Sequence, residues 1–285
     1  MTIDERIRKS PDFNGIIHSV IKKVFKVSTD CKKIYVDVNS CLSVVFRHKN
    51  DNIDLVQTEE VVYKVVEEFL MEHLSAGKDI TLLFTLKPSK HHKAIFPDWC
   101  KYRNDRVKID ECDFIKKLIK SLHRFSKDNK QIKVYNTKEI HPAILVKYIE
   151  TGNRLKCMVL SKDPVFQCMN LKHAIVFTGV HYIDPSDISK YLPDDIEQEG
   201  LDDSIVPVYL SLKGDIKNDF PGKEGYAKKK TVKYLQQYKL EIGVGLPHPL
   251  SEHTDKYSEL YNVDNLLKKC SPEELDEIIN KANKP

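Results

Sequence analysis

The chain lacks any apolar run of the length a transmembrane helix needs. No signal peptide is expected at its start: MTIDERIRKS is polar where one would carry its apolar stretch. It also lacks paired cysteines. The seven cysteines, at positions 31, 41, 100, 112, 157, 168 and 270, are odd in number and scattered, with no CxxC spacing. That pattern argues against a disulfide framework and against a structural zinc motif, and the expectation is buried thiols. No internal repeat and no low-complexity tract interrupts the sequence. What these absences leave is a soluble, intracellular globular protein. Its 285 residues suffice for one large domain or two small ones, and 41% hydrophobic residues can support a packed core.

Charge of one sign is lacking overall, since 46 lysines and arginines face 42 acids for a net charge of +4. Its distribution is uneven. Residues 211–240 hold eight lysines against Asp215, Asp219 and Glu224. Residues 87–106 hold Lys87, Lys90, Lys93, Lys101, Arg103 and Arg106 against Asp98 and Asp105. Two basic clusters in a nearly neutral chain point to a polyanion partner, although a lysine run is also what an ordinary solvated face contains.

Along the chain, apolar β-branched segments alternate with amphipathic ones. Strands are expected at IYVDV, ITLLFTL (80–86), IKVYN (132–136) and LKCMVLS (155–161), with one or two more in HAIVFTGVHYI (173–183). Helices are expected at QTEEVVYKVVEEFLMEHL (57–74, Thr58 as N-cap), DFIKKLIKSLHRF and HPAILVKYIETG. This alternation predicts an α/β fold with a mainly parallel central sheet flanked by helices. From about residue 186 the pattern turns helical, through DISKYL, VPVYLSLKG, KKKTVKYLQQY and SPEELDEIINKA. The expected division is an extension at 1–31, an α/β core at 32–185 with a basic segment at about 87–110, and a helical region at 186–285. Chemistry in parallel sheets collects at carboxyl strand ends. Those ends carry Asp37, Thr85, Glu139 and Asp163. Acids from separate strands suit a hard divalent cation, and single acids in such places also cap helices.

Segments in order resemble the flap endonuclease and 5′–3′ exonuclease superfamily, phage exonucleases included. YVDVNSCL is similar to the first family strand with its metal-binding aspartate. LLFTLKP is similar to the segment the family writes V-F-D-G-K-P, and KHHKAIFPDWCKYR to its basic arch. TKEIHPAILV and VLSKDPVFQ resemble the acidic helix start and the T-x-D-x-D strand end. GDIKNDFPGKEGYAKKK (214–230) resembles G-D-x-x-D-N-I-P-G-x-x-G-x-G-x-K, the helix–three-turn–helix that holds duplex DNA. The resemblance implies a PIN-like fold with a helix–three-turn–helix region.

It also implies a two-metal site for phosphodiester hydrolysis, and here the chain departs from the family. Asp37, Glu139, Asp163 and Asp215 keep acids at family positions, whereas Thr85, Thr137, Val165 and Asn218 stand where acids are expected. A reduced set would hold one Mg²⁺ or Mn²⁺, or none. The gripping positions are better kept. Gly222 and Gly225 permit close backbone approach to a phosphate, a helix starting near Ala227 would aim free N–H groups at it, and Lys228, Lys229 and Lys230 add charge. Lys93, Lys101 and Arg103 sit where the family steers a single-stranded 5′ end, with Phe96, Trp99 and Tyr102 available for stacking or for packing.

Three readings follow. The first is a monomeric, structure-specific binder of flapped or branched DNA, or of RNA, with weak or lost nuclease activity. Its expected setting is viral or phage replication or repair, alongside replication proteins and, if phage-encoded, in the host cytoplasm. The second is a working 5′ nuclease with a reduced carboxylate site. The third is a scaffold that recruits a protein partner.

Overall fold

The computed structural model describes residues 31–47, 55–85, 87–100, 109–171, 173–177, 182–183, 205–215, 218–243 and 249–281. Six strands form one sheet: β1 (Lys33–Asp37), β2 (Asp79–Phe84), β3 (Ile132–Asn136), β4 (Cys157–Leu160), β5 (Ala174–Phe177) and β6 (Tyr182–Ile183). Their order is β3-β2-β1-β4-β5-β6. The first five pair in parallel and β6 is antiparallel to β5, so the segment 173–183 yields two strands. The mainly parallel sheet read from the sequence is therefore the sheet observed.

Successive strand residues are buried in opposite layers, as a two-residue period demands in a sheet covered on both faces. Ile34, Val36, Ile80, Leu82, Phe84, Val134, Met158 and Leu160 face one apolar layer. It is closed by α1 (Val38–Arg47), α2 (Leu55–Ser75) and α4 (Ile109–Asp128). Tyr35, Leu83, Tyr135, Cys157, Val159 and Val176 face the other. That second layer takes in α5 (Pro142–Glu150) and the later helices α7 (Ile205–Lys213), α8 (Lys228–Gly243), α9 (Ser251–Ser258), α10 (Val263–Lys268) and α11 (Pro272–Asn280). Two short helices complete the set, α3 (Lys90–Ile95) and α6 (Pro164–Gln167). A single apolar cluster thus joins one face of the sheet to the helices after residue 205.

Local chemistry sets several boundaries. Pro142 and Pro164 occupy first turns, where a missing N–H costs nothing. Ser271 caps α11 by accepting from Glu274 N. Helix α2 begins at Leu55, three residues before Thr58, so Thr58 lies inside the helix and does not cap it. The first extension (1–30), DISKYL, Lys101, Tyr102, Arg103 and Cys112's side chain lie outside the described residues. Among the six cysteines described as free thiols, five are buried and Cys168 is half-buried. No described helix is long and apolar enough to cross a membrane.

Candidate active site and nucleic-acid interface

The order in which strands are added reverses at β1, which pairs in parallel with β2 on one side and β4 on the other. The crevice at the carboxyl ends of β1 and β4 is where such sheets bind ligands. Asp37 ends β1 and is buried. Its Oδ2 accepts a 2.8 Å hydrogen bond from Ser161 Oγ, and its Oδ1 accepts from Ser40 N at 3.2 Å. Ser161 follows β4, and its hydroxyl oxygen in turn accepts from Asp163 N at 3.0 Å.

Asp163 caps α6 through Oδ1, which accepts from Val165 N at 3.0 Å. Its Oδ2 lies 3.3 Å from His141 Nε2. His141 itself caps α5, with Nδ1 accepting from Ala143 N at 3.2 Å. With Nδ1 an acceptor, Nε2 carries the proton and donates to Asp163. The capping role and the site role therefore coincide in one carboxylate.

Asp215 comes from the turn after α7 and is buried. It pairs with Phe220 in an isolated antiparallel bridge. The turn encloses Asn218, whose amide Nδ2 donates to Asp215 Oδ2 at 2.7 Å and to Asp163 Oδ1 at 3.3 Å. Cys100 fixes the amide's orientation. Its backbone N–H donates to Asn218 O at 2.9 Å, and its thiol donates to Asn218 Oδ1 at 3.3 Å. Carboxylates can only accept, so the amide nitrogen must face them. Tyr261 OH also approaches Asp215 Oδ2 at 3.5 Å.

Neighbouring groups register the negative field of this cluster. The Cys168 thiol is pushed far up by burial and then by Asp163 and Asp215. Tyr261 is raised by burial and by the same two acids, and Cys41 by burial and Asp37.

The remaining family positions are placed differently. Thr85 and Thr137 meet hydroxyl to hydroxyl at 3.0 Å, and Thr137 is fully buried. Val165 is fully buried within the apolar layer. Glu139 does not join the aspartates among its described contacts. It is half-exposed and forms a 3.1 Å ion pair with Lys87. Three of the four sequence-selected acids, Asp37, Asp163 and Asp215, are thus connected through Ser161 and Asn218. Sequence reasoning passed over His141, Ser161 and Cys100. A histidine directly before a helix-opening proline was the one available signal for His141.

The basic surface divides into two parts. At the loop before α8, Gly222 has φ +72° and Gly225 has φ +77°. A Cβ on Gly222 would fall 2.4 Å from Gly214 N and 2.5 Å from Leu212 O, so internal backbone packing accounts for that glycine. A Cβ on Gly225 would meet only Lys230 Nζ, at 3.7 Å, so this backbone stands open to approach. Helix α8 starts at Lys228, one residue after Ala227. Lys229 and Lys230 are exposed, and Lys230 Nζ sits 4.4 Å over the Tyr226 ring. At the other part, Lys93 is exposed on α3. Trp99 is a core residue, 1% exposed, and Phe96 packs edge-on against Phe220 at 5.2 Å. Trp99 is therefore unavailable for base stacking, and its neighbourhood ties the start of the basic segment to the Asn218 turn.

No protein-family model matches the chain, and no curated protein sequence matches it either. The fold is that of the PIN-like flap endonucleases and 5′-exonucleases. It resembles the bacteriophage T5 flap endonuclease in a complex with DNA and metal ions, at TM-score 0.63 and 15% identity over 87% of this chain and 97% of that one. It also resembles the T5 5′-exonuclease with bound zinc, at TM-score 0.56 and 14% identity over 87% and 97% of the two chains. The catalytic core of Rad2 in complex with a DNA substrate aligns at TM-score 0.50 and 14% identity, over 95% of this chain and 98% of that one.

Proposed function

We propose that this protein binds nucleic acid in the manner of the flap endonuclease fold, with structure-specific recognition of flapped or branched duplexes, and cleaves weakly or not at all. One observation carries the reading: the Asn218 amide donates to both Asp163 and Asp215. A cation bridging these carboxylates would need the lone pairs that a neutral N–H₂ donor already takes. Activating a water at a metal pair requires several oxygen ligands per ion. Here the second-strand position supplies a threonine hydroxyl bonded to another threonine, the position two after Asp163 supplies a buried valine, and Glu139 pairs with Lys87. The donor set does not fit two divalent ions. Asp37, Asp163 and Asp215 fit one Mg²⁺ or Mn²⁺ only after Asn218 releases its acids.

The grip rests on other atoms. The open backbone at Gly225, the amino end of α8 and the lysines from 228 to 230 form a sequence-independent phosphate contact. Lys93 is a further exposed cation, on the same stretch of sequence as Lys101 and Arg103. A 5′-flap duplex assay in Mg²⁺ and then in Mn²⁺, with Asp37→Ala alongside and binding followed without metal, tests the reading. The expected result is salt-sensitive binding with no cleavage. Cleavage that disappears in Asp37→Ala would replace it with a reduced, single-ion nuclease. Binding indifferent to salt would favour a protein-recruiting scaffold.

A further inference from the structure

A second cluster of ligand-type side chains lies at the amino-terminal edge of the sheet, away from the aspartates. Cys157 opens β4, His173 immediately precedes β5, and Glu150 closes α5. One ligand atom from each lies within 4.8 Å of the others. Glu150 and Cys157 are fully buried, and His173 is half-buried, which leaves a way in. The backbone ties two of them together, since Cys157 N donates to His173 O at 3.0 Å.

The hydrogen bonding within this cluster is lopsided. Glu150 Oε1 is saturated by Lys33 Nζ at 3.0 Å and by the Tyr35 hydroxyl. Glu150 Oε2 and His173 Nε2 face each other at 3.4 Å, yet neither enclosed atom makes a hydrogen bond. Buried polar atoms normally find a partner, so two facing orphans beside a cysteine sulfur indicate a missing third party. Thiol, imidazole and carboxylate together are zinc-type donors, and a tetrahedral ion with three protein ligands needs its donors only about 3.5 Å apart. Closing this cluster onto an ion requires shifts on the order of 1 Å. Lys33 and Tyr35 then serve as outer partners that hold the carboxylate with Oε2 presented.

We infer that Glu150, Cys157 and His173 form a binding site for a zinc-type divalent ion, separate from the candidate active site. Sequence spacing argued against structural zinc because the cysteines are scattered with no CxxC pair. The parallel sheet gathers them by register instead, placing Cys157 beside Lys33 and Ala174.

The test is titration of the reduced, chelator-treated full chain with Co²⁺, read by the thiolate-to-cobalt absorption band and followed by competition with Zn²⁺. One equivalent should give the band, and Zn²⁺ should abolish it, because a d¹⁰ ion loses no ligand-field energy in a tetrahedral thiolate site. Cys157→Ser should remove the band, His173→Gln should weaken Co²⁺ binding at least tenfold, and Glu259→Gln, at a half-exposed acid outside both sites, should leave both unchanged. No band in the parent chain, or a band that survives Cys157→Ser, overturns the inference. If Cys157→Ser does not fold, unchanged Co²⁺ binding in His173→Gln overturns it equally.

Discussion

The aspartate crevice and the loop before α8 share the segment that carries Asp215 and Asn218, yet they treat their polar groups in opposite ways. In the crevice every described carboxylate is bonded internally: Asp37 to Ser161 and Ser40, Asp163 to His141 and Asn218, and Asp215 to Asn218. At the loop, Gly225 has only the flexible Lys230 ammonium near it, and Lys229 and Lys230 are exposed. A group hydrogen-bonded within the fold must break that bond before it can serve a ligand, whereas an exposed lysine pays little to engage one. The difference separates two properties that a nuclease combines. The surface proposed to hold a phosphate backbone is exposed, and the carboxylates of the candidate centre are occupied by the protein's own side chains.

The comparison predicts its largest effect where the loop meets the fold. Gly222→Ala drives a Cβ to 2.4 Å from Gly214 N, against backbone with no flexible atom to yield. It should cost at least about 3 kcal/mol and lower the melting temperature sharply. Gly225→Ala has room for its Cβ, so it should cost only about 1 kcal/mol for the positive φ and weaken duplex binding instead. Equal thermal loss in both variants would erase the distinction between packing and gripping glycines. Next in size is the joint replacement of Lys228, Lys229 and Lys230 by Ala. Affinity for duplex should fall across sequences, and the slope of log K against log salt should shrink by about 2–3, one phosphate contact per lysine. An unchanged slope would mean that these lysines are solvent-facing only.

Asn218→Asp probes the other side. It replaces the shared donor with a third negative charge between Asp163 and Asp215. Without metal the protein should lose about 2–3 kcal/mol, read as a lower melting temperature. Added Mn²⁺ should restore part of that loss by binding the folded state. Val165→Asp would be a poorer route to a metal site, because it sets a carboxylate in the apolar layer. Should Mn²⁺ leave the Asn218→Asp melting temperature unmoved, the amide is not what keeps a cation out.

Much of this architecture was legible because strand periodicity and order survive in the residues themselves. IKVYN is β3 as read, and the alternation of Ile34, Tyr35 and Val36 between two layers follows from the two-residue period. Asp37, Asp163 and Asp215 could be singled out because strand ends and a glycine-rich turn mark their places. Glu139 could not be resolved. Whether a residue three past a strand turns inward or toward Lys87 depends on the φ of +53° at Lys138 and on which lysine is nearest in space. Asn218's amide bridge was equally hidden, since its partners lie 55 and 3 residues away and its orientation is fixed by Cys100 from a third segment. Local pattern encodes which face a residue takes. It does not encode which polar atoms share a proton across the crevice.

The smallest effect expected concerns the histidine beneath the crevice. His92 is fully buried on α3, its ring 5.0 Å from that of His141 and 4.6 Å from that of Trp99. Burial, and then the neighbouring His141, hold it well below the ordinary imidazole range. The unfolded chain protonates this residue below about pH 6.5, whereas the folded protein keeps it neutral. Above that pH both states are neutral and His92 contributes nothing to the pH dependence. Below it the unfolded state binds the extra proton, so stability falls with acid by up to about 1.4 kcal/mol per pH unit for this one group. His73, His91 and His123 are shifted down by the same cause and add to the slope. His92→Gln should flatten the acid limb of a denaturant-midpoint profile between about pH 6.5 and 5 while leaving salt-dependent duplex binding at neutral pH unchanged. A limb of unaltered steepness would assign the acid sensitivity to His73, His91 and His123 and free the crevice of any part in it.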